Sequence, residues 1–320
     1  MSPPNSLTNT FHRDTYPAIW PTKPSLSQAG RTVLITGGGR GIGFEIARSF
    51  AKASASRIIL VGRRTSVLEE AVEKLRKEFI SKDNSAPTTE FISRLTDLGT
   101  DSSISALWDF LNSRNIFVRV LVLNAAHVTP WGPDTLEMDK QDLMEAFDVN
   151  VGGNFLMAKK FVKQVSRPLR PTGPEQLNLI NISTANIHMM PLPNQTPYAT
   201  SKSAFTTLIG RIADERPVED VQIISFNPGA LYSETAANFF EESYYKWDEM
   251  ALPADYAVWA ASPEASWLHG RFVWAHWDVD ELKAEILKRL QEEKGFLRVA
   301  VQGLPEFDFG GLRVAPYTRG

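Results

Sequence analysis

The sequence predicts an α/β fold: one doubly wound parallel sheet of about seven strands, with helices on both faces. Two observations predict it. Short apolar runs alternate with longer segments of helical periodicity from Arg31 to Trp277, and no composition break or internal repeat divides that span. The first apolar run ends in a glycine-rich turn that opens a helix, an order typical of sheets that bind a ligand beyond the carboxyl ends of their strands.

The elements follow in order. Thr32 to Ile35 reads as a buried strand. Ile58 to Val61 is a second, Thr89 to Leu95 a third and Val118 to Leu123 a fourth. Leu177 to Ile182 is a fifth, Val221 to Phe226 a sixth and Phe272 to Ala275 a seventh. Helical spacing fills the gaps at Val67 to Ile80, Ser102 to Leu111 and Tyr198 to Ala213. One long amphipathic helix is expected from Met138 to Val165, with Leu143, Phe147, Val151, Phe155 and Phe161 on its apolar face. The chain before Arg31 carries Pro3, Pro4, Pro17, Pro21 and Pro24 and reads as an arm that lies on the domain or stays mobile. After Trp277, Leu282, Ile286, Leu287 and Leu290 mark one side of a charged helix, and Glu285 with Arg289 forms an i,i+4 pair. The expected organisation is an arm at 1–30, one catalytic domain at 31–277, and a C-terminal helix and tail at 278–320.

Composition narrows the function. The chain is 43% hydrophobic and 22% charged, proportions that exclude wholesale disorder. It has no cysteine, which removes disulfides, thiolate nucleophiles and cysteine–metal sites. Its five histidines show no metal-ligand spacing. A formal charge of −3 argues against nucleic acid as a partner. No run of about 18 apolar residues exists and the N-terminus lacks an apolar signal core, so no membrane partner and a cytoplasmic location are expected.

Three motifs carry chemistry. Thr36 to Gly43 places Gly37, Gly41 and Gly43 where a backbone must approach a pyrophosphate, and Ile42 sits at the start of a helix whose free N–H groups attract anions. At the end of the second strand, an enzyme that binds NAD places a carboxylate for the ribose 2′-hydroxyl. This chain has Gly62, Arg63 and Arg64 there, and Arg40 in the glycine turn. Guanidinium groups attract a 2′-phosphate, so NADP(H) is the expected cofactor. Tyr198 and Lys202, at i and i+4, put a phenol and an ammonium on one helix face, where the cation lowers the phenol pKa and suits it to proton transfer.

Together these marks resemble the short-chain dehydrogenase/reductase family. The match continues through Asp97-Leu98, Leu123-Asn124-Ala125-Ala126, Asn150, Asn181 to Thr184, and Pro228-Gly229, in family order. The arm and the Trp277-Asp278-Val279-Asp280-Glu281-Leu282-Lys283 segment resemble fungal members from secondary metabolism. The resemblance implies a Rossmann-like fold and hydride transfer to a ketone or aldehyde, or from the corresponding alcohol. It implies Tyr198 as general acid, Lys202 as the group lowering its pKa and holding the nicotinamide ribose, and Asn150 as carrier of a relay water. Asp97 and Leu98 are implied for the adenine, Asn124 for the adenosine ribose side, and Pro228, Gly229, Leu231 and Ser233 for the nicotinamide. The family's substrate-polarising serine falls thirteen residues before the tyrosine, where this chain has Ala185. Aligning the strand end instead nominates Thr184, or else Ser183. Strand alternation lets only one of the two face the site, and Thr184 is preferred. The altered position also keeps a non-redox dehydratase, cyclase or isomerase open, beside a non-catalytic nucleotide sensor. A homodimer or homotetramer is implied. Aromatic residues at Phe239, Phe240, Tyr244, Tyr245 and Trp247 suit a lid over a hydrophobic small-molecule substrate.

Overall fold

The structure is a computed structural model and describes residues 6–80, 89–129, 132, 134–165, 167–170 and 173–301. Seven parallel strands form one sheet: β1 (Thr32–Thr36), β2 (Arg57–Gly62), β3 (Glu90–Leu95), β4 (Val120–Leu123), β5 (Leu177–Ile182), β6 (Val221–Asn227) and β7 (Arg271–Trp274). Their order is β3-β2-β1-β4-β5-β6-β7. The order reverses between β1 and β4, and in such sheets a ligand crevice opens beyond the strand ends at that switch point. A small two-stranded ribbon at Leu169–Arg170 and Gly173–Pro174 lies outside this sheet.

Alternate strand residues feed two cores, one on each face. Val33, Ile35, Ile58 and Leu60 pack under α1 (Gly41–Lys52) and α2 (Thr65–Glu78). Leu34, Ile59, Leu121 and Leu179 pack under α3 (Asp101–Ser113), α5 (Asn154–Val162) and α6 (Thr196–Glu215). Burial on both faces explains why β1 and β4 read as continuous apolar runs, while β5 and β6 bury Asn178, Asn181, Gln222 and Ser225 among their apolar residues.

Several expectations change in detail. The fourth strand begins at Val120, because Gln164 bonds both the N–H (2.9 Å) and the carbonyl (2.8 Å) of Val118 and removes them from the ladder. The single helix expected at Met138 to Val165 is divided. It becomes α4 (Lys140–Phe147), a π-helical stretch at Asp148–Gly153, and α5. Phe155 and Val165, expected on the buried face, are exposed. The π stretch fits a close approach: a side chain at Gly153 would place its Cβ 2.0 Å from the Leu98 carbonyl oxygen. The short α7 (Glu234–Ala237) leads into a segment with no prior helical signal, and α8 (Ala251–Ala260) then follows. Every residue of α8 from Leu252 to Ala260 is buried, so no amphipathic period marks it in the sequence. In α9 (Val279–Glu292), Leu282 and Ile286 are buried, while Arg289 pairs with Glu293 (2.8 Å) and not with Glu285. The Arg289 guanidinium lies 3.8 Å over the Phe296 ring, which draws it toward the C-terminal side.

From Ser6 onward the described arm lies on the domain. Tyr16, Ile19 and Leu26 join the same core as α1 and α9. Thr10 bonds Glu281, His12 pairs with Asp278 at 3.0 Å, and the Tyr16 hydroxyl donates to the Trp277 carbonyl. The tail beyond residue 301 lies outside the described residues.

Candidate active site

One cleft of about 880 Å³ opens beyond the carboxyl ends of β1, β2, β4, β5 and β6. Its lining includes the glycine turn and Arg63 at one part of the wall, and Thr184, Tyr198 and Lys202 at another. Asp97, Leu98, Asn124, Pro228, Gly229, Leu231 and Ser233 also line it. Of the residues nominated from sequence, Gly43 and Asn150 are absent from this lining; both act from behind it.

The glycine turn is shaped by backbone demands. Gly37 and Gly41 hold φ of +66° and +53°, which favour glycine. A Cβ on Gly43 would stand 2.3 Å from the Gly37 carbonyl oxygen, so only glycine lets α1 pack against the turn. No side chain caps the start of α1 and its first turn carries no acid, so its first N–H groups are left without a side-chain partner beside the cleft, an arrangement that suits an anion. Asn124 donates to the Thr36 (3.0 Å) and Gly37 (3.3 Å) carbonyls, and its own N–H donates to the Thr36 hydroxyl. Its side chain therefore ties β4 to the turn. These features fit a dinucleotide phosphate.

The arginines differ from one another. Arg40 forms an ion pair with Glu234 at the start of α7. Arg63 and Arg64 are exposed on the cleft wall, and neither has an ion pair among the described residues.

Ser183 and Thr184 end β5 on opposite faces. The Ser183 hydroxyl is buried and shares a 2.7 Å hydrogen bond with Thr206 of α6. Thr184 turns the other way: its oxygen accepts from the Asn186 N–H at 3.3 Å, and its hydroxyl lies on the Tyr198 side, where it favours the ionised phenol. Tyr198 and Lys202 rise from the first turns of α6, which Pro197 helps to start.

The electrostatics depart from the sequence argument, in which Lys202 lowers the Tyr198 pKa. Burial is the larger influence, and it pushes the phenol up to about 12, with the Thr184 hydrogen bond pulling partly back. Burial also brings Lys202 down to about 8. Its ammonium donates to the Ile182 carbonyl at the end of β5.

Lys202 has a consequence for stability. Its folded pKa lies below the ordinary lysine value of 10.5, so the unfolded chain holds that proton more tightly. Stability contributed at this position rises as pH increases from about 8 to 10.5, and the charge penalty is complete below about 8. Relative to Lys202→Met, the wild type is expected to gain about 2–3 kcal/mol across that interval. Denaturant melts of both proteins at each end of the interval check it; a constant difference would show that Lys202 titrates normally.

Asn150 lies within the π stretch and is fully buried. Its Oδ1 accepts from the His127 N–H (2.7 Å), and its Nδ2 donates to the His127 carbonyl and the Ser201 hydroxyl, both at 2.9 Å. Both amide protons are thus committed, and the side chain holds the loop after β4 in place. Its backbone carbonyl accepts from Asn154 Nδ2 at 3.2 Å.

Sequence reasoning missed Asp248. This buried carboxylate accepts from the Ala230 N–H (2.8 Å) and pairs with His276 (2.8 Å) and Arg13 (3.0 Å). It braces the turn at Gly229, whose φ is +104°. No motif surrounds Asp248; the one signal is Pro228-Gly229, which marks the turn and not its support. Of the five aromatics named as a lid, Phe239 and Phe240 line the cleft. Tyr245 and Trp247 pack ring against ring, and Tyr244 is exposed.

Comparison with known proteins agrees with this geometry. A family model described as short chain dehydrogenase matches residues 31–243. The chain is 34% identical over 300 residues to the short chain dehydrogenase/reductase nsrO of Aspergillus novofumigatus, covering 92% of this chain and 96% of the relative. It is 31% identical over 294 residues to the short chain dehydrogenase/reductase AacuD of Aspergillus aculeatus, with coverage of 92% and 96%. Among solved structures, the Pseudomonas aeruginosa RhlG/NADP active-site complex matches with a TM-score of 0.67 at 22% identity, over 78% of this chain and 96% of that one. A 7 alpha-hydroxysteroid dehydrogenase complexed with NADH and 7-oxo glycochenodeoxycholic acid matches with a TM-score of 0.67 at 20% identity, over 82% and 97%. At these identities the two structures speak to the fold. No helix among the described residues is long and apolar enough to cross a membrane. The chain belongs to the short-chain dehydrogenase/reductase family, NAD(P)-binding oxidoreductases of small molecules, and the relatives that it resembles in sequence are fungal.

Proposed function

We propose that this protein is an NADPH-dependent carbonyl reductase, reversible toward the corresponding alcohol, acting on a hydrophobic secondary metabolite. The observation that carries this reading is the meeting of Thr184, Tyr198 and Lys202 in a cleft that also holds the glycine turn, Arg40 and Arg63. When bound, NADPH supplies the hydride that the carbonyl carbon accepts. Tyr198 donates its phenolic proton to the carbonyl oxygen. Thr184 keeps a donor proton while its oxygen accepts from Asn186, so it polarises the same oxygen. Lys202 holds the nicotinamide ribose and restores the Tyr198 proton. Asn150 acts as a positioning residue for the loop at His127, and a relay water would meet its backbone carbonyl.

Cofactor contacts divide along the cleft. Gly37, Gly41 and Ile42 offer backbone to the pyrophosphate while Gly43 lets α1 pack against the turn, and Arg40 and Arg63 offer charge to a 2′-phosphate. Asp97 meets the adenine amino group and Leu98 its ring. Pro228, Gly229 and Leu231 shape the nicotinamide end. The Ser233 hydroxyl accepts from the Ala236 N–H to cap α7 and its carbonyl accepts from the Ala237 N–H, so its backbone N–H is the group that reaches the carboxamide. A cytoplasmic homodimer or homotetramer is the expected form.

Replacing the two hydroxyls separately tests the assignment. Thr184→Val is expected to lower kcat by about 10²-fold, the scale of losing one aligned donor to a developing oxyanion. Ser183→Ala is expected to cost about 1 kcal/mol of stability with kcat within about threefold, because its bond to Thr206 is structural. The measurement follows NADPH absorbance with an aromatic ketone. The opposite pattern would exchange the two roles, and product formed without NADPH oxidation would move the protein to the non-redox reading.

A further inference from the structure

Gln195 and Asn186 are not used by the chemistry above. Gln195 is only 5% exposed and lines the active-site cleft, yet among the described residues its side-chain amide has no hydrogen bond. It stands at the N-cap of α6 without capping it, three residues before Tyr198. Asn186 lies two residues beyond Thr184, in the short turn Ala185–Ile187, and lines the same cleft. Its backbone N–H is taken by Thr184, and its amide has no partner among the described residues. Thr129 adds a buried hydroxyl, without a partner among the described residues, on the same lining. The Gly132 N–H donates to the Asn194 carbonyl, next to Gln195, at 3.1 Å.

Buried polar groups normally find partners, and the Thr129 hydroxyl has none among the described residues. The amides of Gln195 and of half-buried Asn186 belong to the cleft lining, where a bound molecule can reach them. Reduction of a simple ketone needs only the phenol and the Thr184 hydroxyl at its oxygen. Two amides, each both donor and acceptor, have capacity left for further oxygen functions. Phe239 and Phe240 on the same cleft provide flat apolar surface.

We propose that Gln195 and Asn186 form a hydrogen-bonding subsite for a second oxygen on the substrate, which makes that substrate an aromatic ketone bearing a ring hydroxyl or a second carbonyl. This rests on the carbonyl-reductase reading and specifies its substrate class. The amides choose among ketones, while Thr184 and Tyr198 act on whichever one is held.

The test is binding to the complex with NADP⁺, where no turnover occurs. The probes are 1-tetralone and its ring-hydroxylated isomers, titrated calorimetrically. At least one hydroxylated isomer is expected to bind roughly tenfold more tightly than 1-tetralone, since each neutral hydrogen bond gained is worth roughly two- to tenfold. In Gln195→Leu and Asn186→Leu that ratio is expected to fall toward one. The NADP⁺ dissociation constant of each variant reports its folding independently. The proposal is overturned if no isomer binds more tightly than 1-tetralone to the wild type, or if the ratio survives in both variants. Failure of the carbonyl-reductase reading shows differently, as no oxidation of NADPH with any ketone, and leaves the binding ratio readable.

Discussion

Tyr198→Phe is expected to lower kcat/KM for ketone reduction by at least about 10³-fold, while the dissociation constant for NADPH changes by less than about threefold. The substitution removes one hydroxyl and leaves the ring, so α6 keeps its packing. Burial holds the phenol at about 12, and it therefore carries its proton throughout the neutral range. That state suits a proton donor. In the reverse direction the same group must first lose the proton, so alcohol oxidation is expected to speed up with rising pH while reduction stays flat near neutrality. Stopped-flow traces of NADPH consumption, paired with fluorescence titration of the cofactor, check both parts. Turnover close to wild type in the phenylalanine variant would remove Tyr198 from the chemistry.

Cofactor choice should respond most strongly to Arg63. Arg63→Ala is expected to weaken NADPH binding by about 10- to 100-fold and NADH binding by less than about threefold, because a hydrogen bond to a charged group is worth about 1.5–3 kcal/mol. Arg40→Ala is expected to act in the same sense but less. Its guanidinium already has Glu234 as a counter-ion, whereas Arg63 has none among the described residues. Exposed pairs of this kind contribute at most about 1 kcal/mol, so Glu234 moderates Arg40 without silencing it. Isothermal titration with both cofactors at fixed ionic strength separates the cases. Equal losses for NADPH and NADH would mean that the arginines contact the shared pyrophosphate and not the 2′-phosphate.

The legible parts of the fold were those written in local pattern. The central strands β1 and β4 were found because burial on both faces makes each a continuous apolar run. α8 was not, because burial on every side erases the period that reveals a helix. The division of the long helix was also hidden. Its sequence keeps helical spacing across Asn150, and the π stretch is set by what lies opposite: the His127 backbone and the Leu98 carbonyl.

In the site, the order of motifs along the chain nominated the glycine turn, the arginines and the Tyr198/Lys202 pair without coordinates, since each rests on spacing within one turn or one strand end, and the structure brings them to one cleft. Which hydroxyl faces the cleft, how Asn150 spends its amide, and where Lys202 sends its ammonium were decided only by tertiary contacts. Thr184 meets the phenol because Ser183 is held by Thr206 from α6. The two pKa values likewise follow from burial that the surrounding elements create together. Local spacing fixes which groups are available; the desolvation and the competing hydrogen bonds that tune them come from residues distant in the chain, and no short stretch of sequence encodes those.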